Sequence, residues 1–195
     1  MKKTIISVLC FLFVSVITVT SVFASVNKIN YSKSSIDKDK PLVVIDAGHG
    51  GFDGGAVAQD GTVEKDINLN ITLAVANFLK QSGFEVVLTR QNDVSTDDVE
   101  TDKIATRKKS DLKNRLELMK NNPDAIFISI HLNKFTTSAA RGSQVFYSKY
   151  GDSKRLGDLI QKSIIDNLQP ENKRVNKQAT SSTYLLHNAV VPAVL

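Results

Sequence analysis

The chain has 195 residues, 42% of them apolar and 23% charged, with a formal net charge of +5. That length allows one domain with a proper core plus an appendage, and the composition excludes a disordered or fibrous chain. The mild basic balance suits contact with anionic polymers and is too weak to indicate a nucleic-acid partner.

The appendage comes first. Lys2 and Lys3 precede a largely apolar stretch that runs to Val22, followed by Phe23, Ala24 and a polar run. A basic start, an apolar middle and a small residue at the cut form the pattern of a secretory signal peptide, so residues 1–24 are expected to direct export, with cleavage after Ala24. The alternative is an uncleaved anchor, because about 19 apolar residues just cross a bilayer. Contact with a membrane is expected only through that segment. Loss of Lys2 and Lys3 with it takes the net charge from +5 to +3. The single cysteine, Cys10, is preceded by Leu9 rather than by the small residue of a lipoprotein signal. The exported part then has no disulfide and relies on its core. Residues 25–40, rich in Ser, Lys, Asn and Asp, read as a linker, and residues 41–195 as the folded domain.

Within that domain, residues 42–46 are apolar and β-branched, the mark of a strand buried on both faces. A glycine-rich loop spans 48–61. Ile67, Ile71, Ala74, Val75 and Phe78 then fall at helical spacing, closed by Ser82-Gly83. Residues 84–88 form a second apolar strand, completing a βαβ unit with parallel strands. Residues 91–110 are polar and without apolar period, either an excursion near a site or partly helical toward the end. Leu112, Leu116 and Met119 mark a helix that stops before Pro123. Residues 125–130 are a third core strand, and 142–147 a fourth. Leu156, Leu159, Ile160, Ile164 and Leu168 form an amphipathic helix ending at Pro170, and the chain turns apolar again from 184 to 195. The alternation predicts a single α/β domain with a mostly parallel central sheet and helices on both faces.

His49 and His131 each follow the C-terminal end of a predicted parallel strand, the edge at which open α/β sheets bind ligands. Glu64 stands at the start of the helix leaving the glycine loop, which returns toward that edge. Two histidines and one glutamate make the ligand set of a catalytic zinc site with its fourth position open. Singly, each has an ordinary explanation: a hydrogen-bonded histidine, or an acid in a helix first turn. Phosphate binding is disfavoured, because no Gly-Lys-Ser/Thr is present and Asp53 stands where a dinucleotide motif needs its third glycine.

Four ordered motifs carry a family resemblance. They are I-D-A-G-H-G-G at 45–51, V-E-K-D-I-N-L at 63–69, L-T-R at 88–90 and F-I-S-I-H-L-N at 127–133. Together they resemble the zinc-dependent N-acetylmuramoyl-L-alanine amidases of type 3, over residues 43–195. With R-G-S-Q-V-F-Y at 141–147, the chain is most similar to the germination-specific branch, which trims spore-cortex peptidoglycan. The resemblance implies Zn2+ held by His49, Glu64 and His131. It implies hydrolysis of the amide between muramic acid and L-alanine, with peptidoglycan as partner; with the export signal, action is expected in the cell wall or spore envelope, and an accessory protein is a further partner that the sequence itself does not indicate. The resemblance also implies a second glutamate as general base, in a motif P-A-V-L-V-E. The sequence reads Pro192-Ala193-Val194-Leu195, so that residue is expected two positions further on. Residues 1–195 are therefore expected to be a C-terminally incomplete chain, inactive as it stands, with peptidoglycan binding without cleavage as the alternative function. Asp46 is a candidate to orient a ligand imidazole, Asn133 to orient ligands or substrate, and Arg90 and Arg174 to contact substrate carboxylates. His187, the third histidine, is read as an ordinary one.

Overall fold

The computed structural model describes residues 39–132 and 141–195. The expected signal segment, most of the linker and Asn133 lie outside the described residues. Unit 35–195 is one compact body.

Its frame is a six-stranded sheet in the order β2-β1-β3-β6-β4-β5. Strand β1 (Val43–Ala47) is buried at all five positions, because it lies between two neighbours and under helices on both faces. It pairs in parallel with β2 (Val86–Leu88) and with β3 (Ile126–Ile130), in a register that sets Val44 beside both Val87 and Phe127. Strand β3 runs parallel to β6 (Ala193–Val194). The strand β4 (Phe146–Tyr147) is antiparallel to β6 and parallel to β5 (Lys177–Gln178), so the sheet is mixed but mostly parallel.

Alternation along β1 divides the core. Val44, with Phe127, packs against Leu116 and Met119 of helix α2 (Ile104–Lys120) and Leu185 and Leu186 of the short helix α4 (Tyr184–His187). Val43 and Ile45 face the other way, onto Ala76 of α1 (Glu64–Gln81), with Val75 and Leu79 beside it. Each such fully buried aliphatic or aromatic side chain contributes about 1.5–3 kcal/mol over leaving it in water. Helix α3 (Ser153–Asn167) packs on β4 and β6. Among the described residues no helix is long and apolar enough to cross a membrane.

Three elements differ from the sequence expectation. The apolar spacing of α1 points to Ile71 and Phe78 as an inward face, yet these are 40% and 70% exposed. The buried stripe is Glu64, Asn68, Thr72 and Ala76, at four-residue spacing. This helix turns polar and small residues inward because its first turn delivers Glu64 to the sheet edge. The expected fourth strand shrinks to two residues. The N–H of Ser143 is taken by Gln169 Oε1 and that of Val145 by Gln161 Oε1, so those donors do not enter a ladder. The polar stretch before α2 is helical from Ile104, and its first part is pinned to the helix by Asp111, which accepts from Ser95 and Thr96.

Candidate metal centre

The site is built where β1 and β3 end side by side. Gly48 extends their pairing, its N–H donating to Ile130 O at 3.0 Å. The ring of His131 then occupies the space a side chain at 48 would need: a Cβ there would lie 2.2 Å from His131 Nε2. His49 follows with φ at 62°, in the left-handed region that few residues other than glycine adopt. Gly50 and Gly51 continue the turn with positive φ, and a reciprocal backbone pair between Gly50 and Asp53 closes it.

Two buried arginines hold this turn by its carbonyls. Arg90 donates to Ala47 O, Gly48 O, Lys65 O and Asn92 O, while Arg115 donates to Ala47 O and His49 O. Arg115 also meets two carboxylates, Asp46 at 2.6 Å and Asp111 at 2.8 Å. Consecutive carbonyls turned the same way repel one another, and the guanidinium forks offset that while keeping the left-handed step at His49 in place.

Glu64 enters from the start of α1. Its Oε2 accepts from the N–H of Ala56 at 2.9 Å, and its Oε1 accepts from the N–H of Leu132 at 3.0 Å. Asn68, one turn on, donates to Gly48 O and to Glu64 Oε1, tying helix, strand end and carboxylate together. Glu64 Oε1 then stands 3.3 Å from His49 Nε2 and 3.2 Å from His131 Nδ1, and the donor atoms of the three residues lie within 4.8 Å of one another. The imidazole rings meet edge to face, 4.8 Å between centroids. The convergence predicted from topology is therefore present, and two imidazoles with a carboxylate form a group that could bind a metal ion.

The electrostatics favour ionised acids. Burial on its own pushes the Glu64 carboxyl up. Hydrogen bonds from His131, His49 and the Ala56 N–H outweigh it and hold the group far below the usual carboxylate range. Burial likewise opposes charge on His49, but Glu64 and Asp53 prevail and raise its pKa.

The remaining candidates fall in different places. Asp46 is fully buried but does not touch an imidazole: its oxygens accept from Thr89, Arg115 and Ser129. It acts on the loop through Arg115. The carboxylate that does meet a ligand ring is Asp53, whose Oδ2 lies 2.9 Å from His49 Nδ1. Arg90, proposed from sequence as a substrate contact, is 3% exposed and occupied with backbone carbonyls, which leaves a substrate carboxylate no approach to it. Arg174 contacts Gln144 Oε1 and lines a cavity of about 510 Å³ that also reaches His131. His187 is exposed at the end of α4, outside the donor group. Sequence reading missed Asp53, Asn68 and Arg115. The four-residue spacings His49–Asp53 and Glu64–Asn68 were the available signals, whereas Arg115 carried none.

Comparison with known proteins bears on this arrangement. The family model for N-acetylmuramoyl-L-alanine amidase matches residues 43–195. The germination-specific N-acetylmuramoyl-L-alanine amidase of Bacillus subtilis is 31% identical over 174 residues, 85% of this chain and 72% of that protein. N-acetylmuramoyl-L-alanine amidase LytC of the same organism is 32% identical over 78% of this chain, which spans only 28% of LytC. Among solved structures, the CwlD amidase of Clostridioides difficile, determined in complex with the GerS lipoprotein, superposes with a TM-score of 0.75. It is 40% identical, over 80% of each chain.

Proposed function

We propose that this chain, which belongs to the N-acetylmuramoyl-L-alanine amidase family, hydrolyses the amide joining the lactyl group of muramic acid to L-alanine in peptidoglycan, with zinc at the His49–Glu64–His131 group. The observation that carries the reading is the convergence of three donor atoms on one point of the sheet edge. Two imidazole nitrogens and a carboxylate oxygen are a donor set that suits zinc, and Glu64 Oε1 stands 3.3 and 3.2 Å from the two histidine nitrogens, so one ion could be held by all three.

When bound, zinc makes a water acidic enough to attack at neutral pH and polarises the scissile carbonyl. The residues of the chain hold and orient. The N–H groups of Ala56 and Leu132 fix the Glu64 carboxylate, and Arg115 and Arg90 fix the turn that carries His49. Arg174, at the wall of the cavity that reaches His131, is the candidate contact for a carboxylate of the stem peptide. Proton transfer needs a further acid-base group within reach of the water and the leaving amine. Residues 1–195 contain no match to the family's second glutamate. The alternative reading is an amidase-like chain that binds peptidoglycan without turning it over.

Likeness to the germination-specific enzyme and to CwlD supports spore-cortex peptidoglycan as the substrate and an accessory protein as a partner. The basic-then-apolar start of the sequence supports export, and so action outside the cytoplasm. The test is digestion of purified cortex by the purified protein, with zinc and with chelator. Release of free N-terminal L-alanine that chelator abolishes is the expected result. Cleavage between amino acids of the stem would replace the amidase reading with a peptidase one.

A further inference from the structure

His49 and His131 are not equivalent donors. His131 turns Nδ1 toward Glu64, whereas His49 turns Nε2 toward it and keeps Nδ1 for Asp53. An ionised carboxylate only accepts hydrogen bonds, so the 2.9 Å contact to Asp53 and the 3.3 Å contact to Glu64 each call for a ring proton; when the ring carries only one, the shorter contact favours Nδ1, which leaves the Nε2 lone pair for a metal ion.

The chain builds this contact deliberately. The reciprocal backbone bonds between Gly50 and Asp53 fold the turn back on itself, bringing residue 53 beside the ring of residue 49. The second oxygen of Asp53 is held by the Gly55 N–H at 3.3 Å and by Lys108 Nζ, from α2, at 2.9 Å. Gly55 in turn must be glycine: its φ is +70°, and a Cβ would lie 2.7 Å from His49 Cδ2 and 2.8 Å from Glu64 Oε2. The ring is thus confined on one side by the Gly55 backbone and oriented on the other by Asp53.

We propose that Asp53 is a positioning residue of the metal centre, holding His49 in the Nδ1–H tautomer with Nε2 as the metal-binding atom. The proposal rests on the metal-centre reading above, and Lys108 steadies the carboxylate from a half-exposed position where a single ion pair counts for little. An outer carboxylate on a ligand histidine changes metal affinity by about 10–100-fold.

The test uses the full chain in two measurements. The first is the 15N spectrum of the His49 ring in the metal-free protein at alkaline pH. The Nδ1–H pattern is expected in the native chain, with a mixture or the Nε2–H form in Asp53→Ala. The second is zinc affinity by competition with a chromophoric chelator. Asp53→Ala is expected to bind about 10–100-fold more weakly, Asp53→Asn to recover part of the loss because its carbonyl still accepts from Nδ1–H, and Lys108→Ala to change affinity by less than about threefold. An Nε2–H pattern in the native ring overturns the proposal whether or not the variants fold. Folded Asp53→Ala with native affinity also overturns it. A native chain that shows the Nδ1–H pattern yet takes up no zinc would instead overturn the metal reading, leaving the orientation of His49 by Asp53 supported.

Discussion

The guanidinium of Arg115 lies 2.6 Å from the carboxylate of Asp46, and both side chains are sealed from solvent behind the turn that carries His49. The pair joins α2 to β1, and the same arginine reaches His49 O at 2.7 Å.

Removing one member strands the other. Asp46→Asn leaves Arg115 with a single full carboxylate partner, and Arg115→Ala leaves Asp46 charged and buried. Each is expected to cost about 3–5 kcal/mol, read as a lower urea midpoint at unchanged slope. The double variant Asp46→Asn, Arg115→Met should recover part of the loss, since an apolar replacement removes the unpaired charge. A single-variant loss below about 1 kcal/mol, the worth of a surface pair, would contradict this account.

The same groups set the response to pH. Burial alone pushes the Asp46 carboxyl up; the Arg115 charge, with His131 and the Ser129 hydrogen bond, brings it below the ordinary range. Its contribution is complete above the unfolded value, about 3.9, and is lost as pH falls through the lower folded value. His49, raised in the folded metal-free chain, contributes below its unfolded value of about 6.5 and loses that as pH rises through the folded one. Thermal unfolding in chelator should therefore be highest between about pH 4 and 6.5, and Asp46→Asn should flatten the acid limb.

Glycines at the site separate steric from conformational demand. Gly48→Ala sets a methyl against the His131 ring, and Gly55→Ala sets one against His49 and Glu64 at a φ of +70°. Both should weaken zinc binding by at least about tenfold, the scale on which a displaced ligand is felt. Gly61→Ala, at φ +85° with nothing within 4 Å of the new methyl, should cost about 1–2 kcal/mol of stability and leave zinc affinity unchanged.

Glu64→Gln keeps the shape of the ligand and removes its charge. The helix start survives through the Glu64 N–H bond to Ala56 O at 2.9 Å, so the fold is expected to hold. Zinc content should fall more than about 100-fold, beyond what loss of an outer partner costs. Retained zinc in a folded Glu64→Gln chain would remove residue 64 from the ligand set.

Much of this was legible in the sequence, for local reasons. Burial on both faces requires an unbroken apolar run, and β1 has one in Val43-Val44-Ile45. A strand that ends at a binding edge needs chemistry directly after it, and His49 and His131 stand there. The face of α1 was misleading because its ligand-bearing stripe is polar: Ile71 and Phe78 mimic an inward face while Asn68 and Thr72 are the buried ones. Asp46, three residues before His49, looked able to orient an imidazole, a part that falls instead to Asp53, four residues after it.

By itself, then, the sequence determined the alternation of strands and helices, the parallel pairing at the centre of the sheet and the three residues that meet at its edge. Side-chain periodicity and chain topology are properties of neighbouring residues, and they survive without coordinates. Only the tertiary structure decided which nitrogen of each histidine faces Glu64, which aspartate holds His49, and that Arg90 and Arg115 are internal braces. Those outcomes depend on which distant groups are brought together out of water. Arg115 is 66 residues from the His49 carbonyl it holds, and nothing in its own stretch of α2 distinguishes it from a solvated arginine until the fold closes over it.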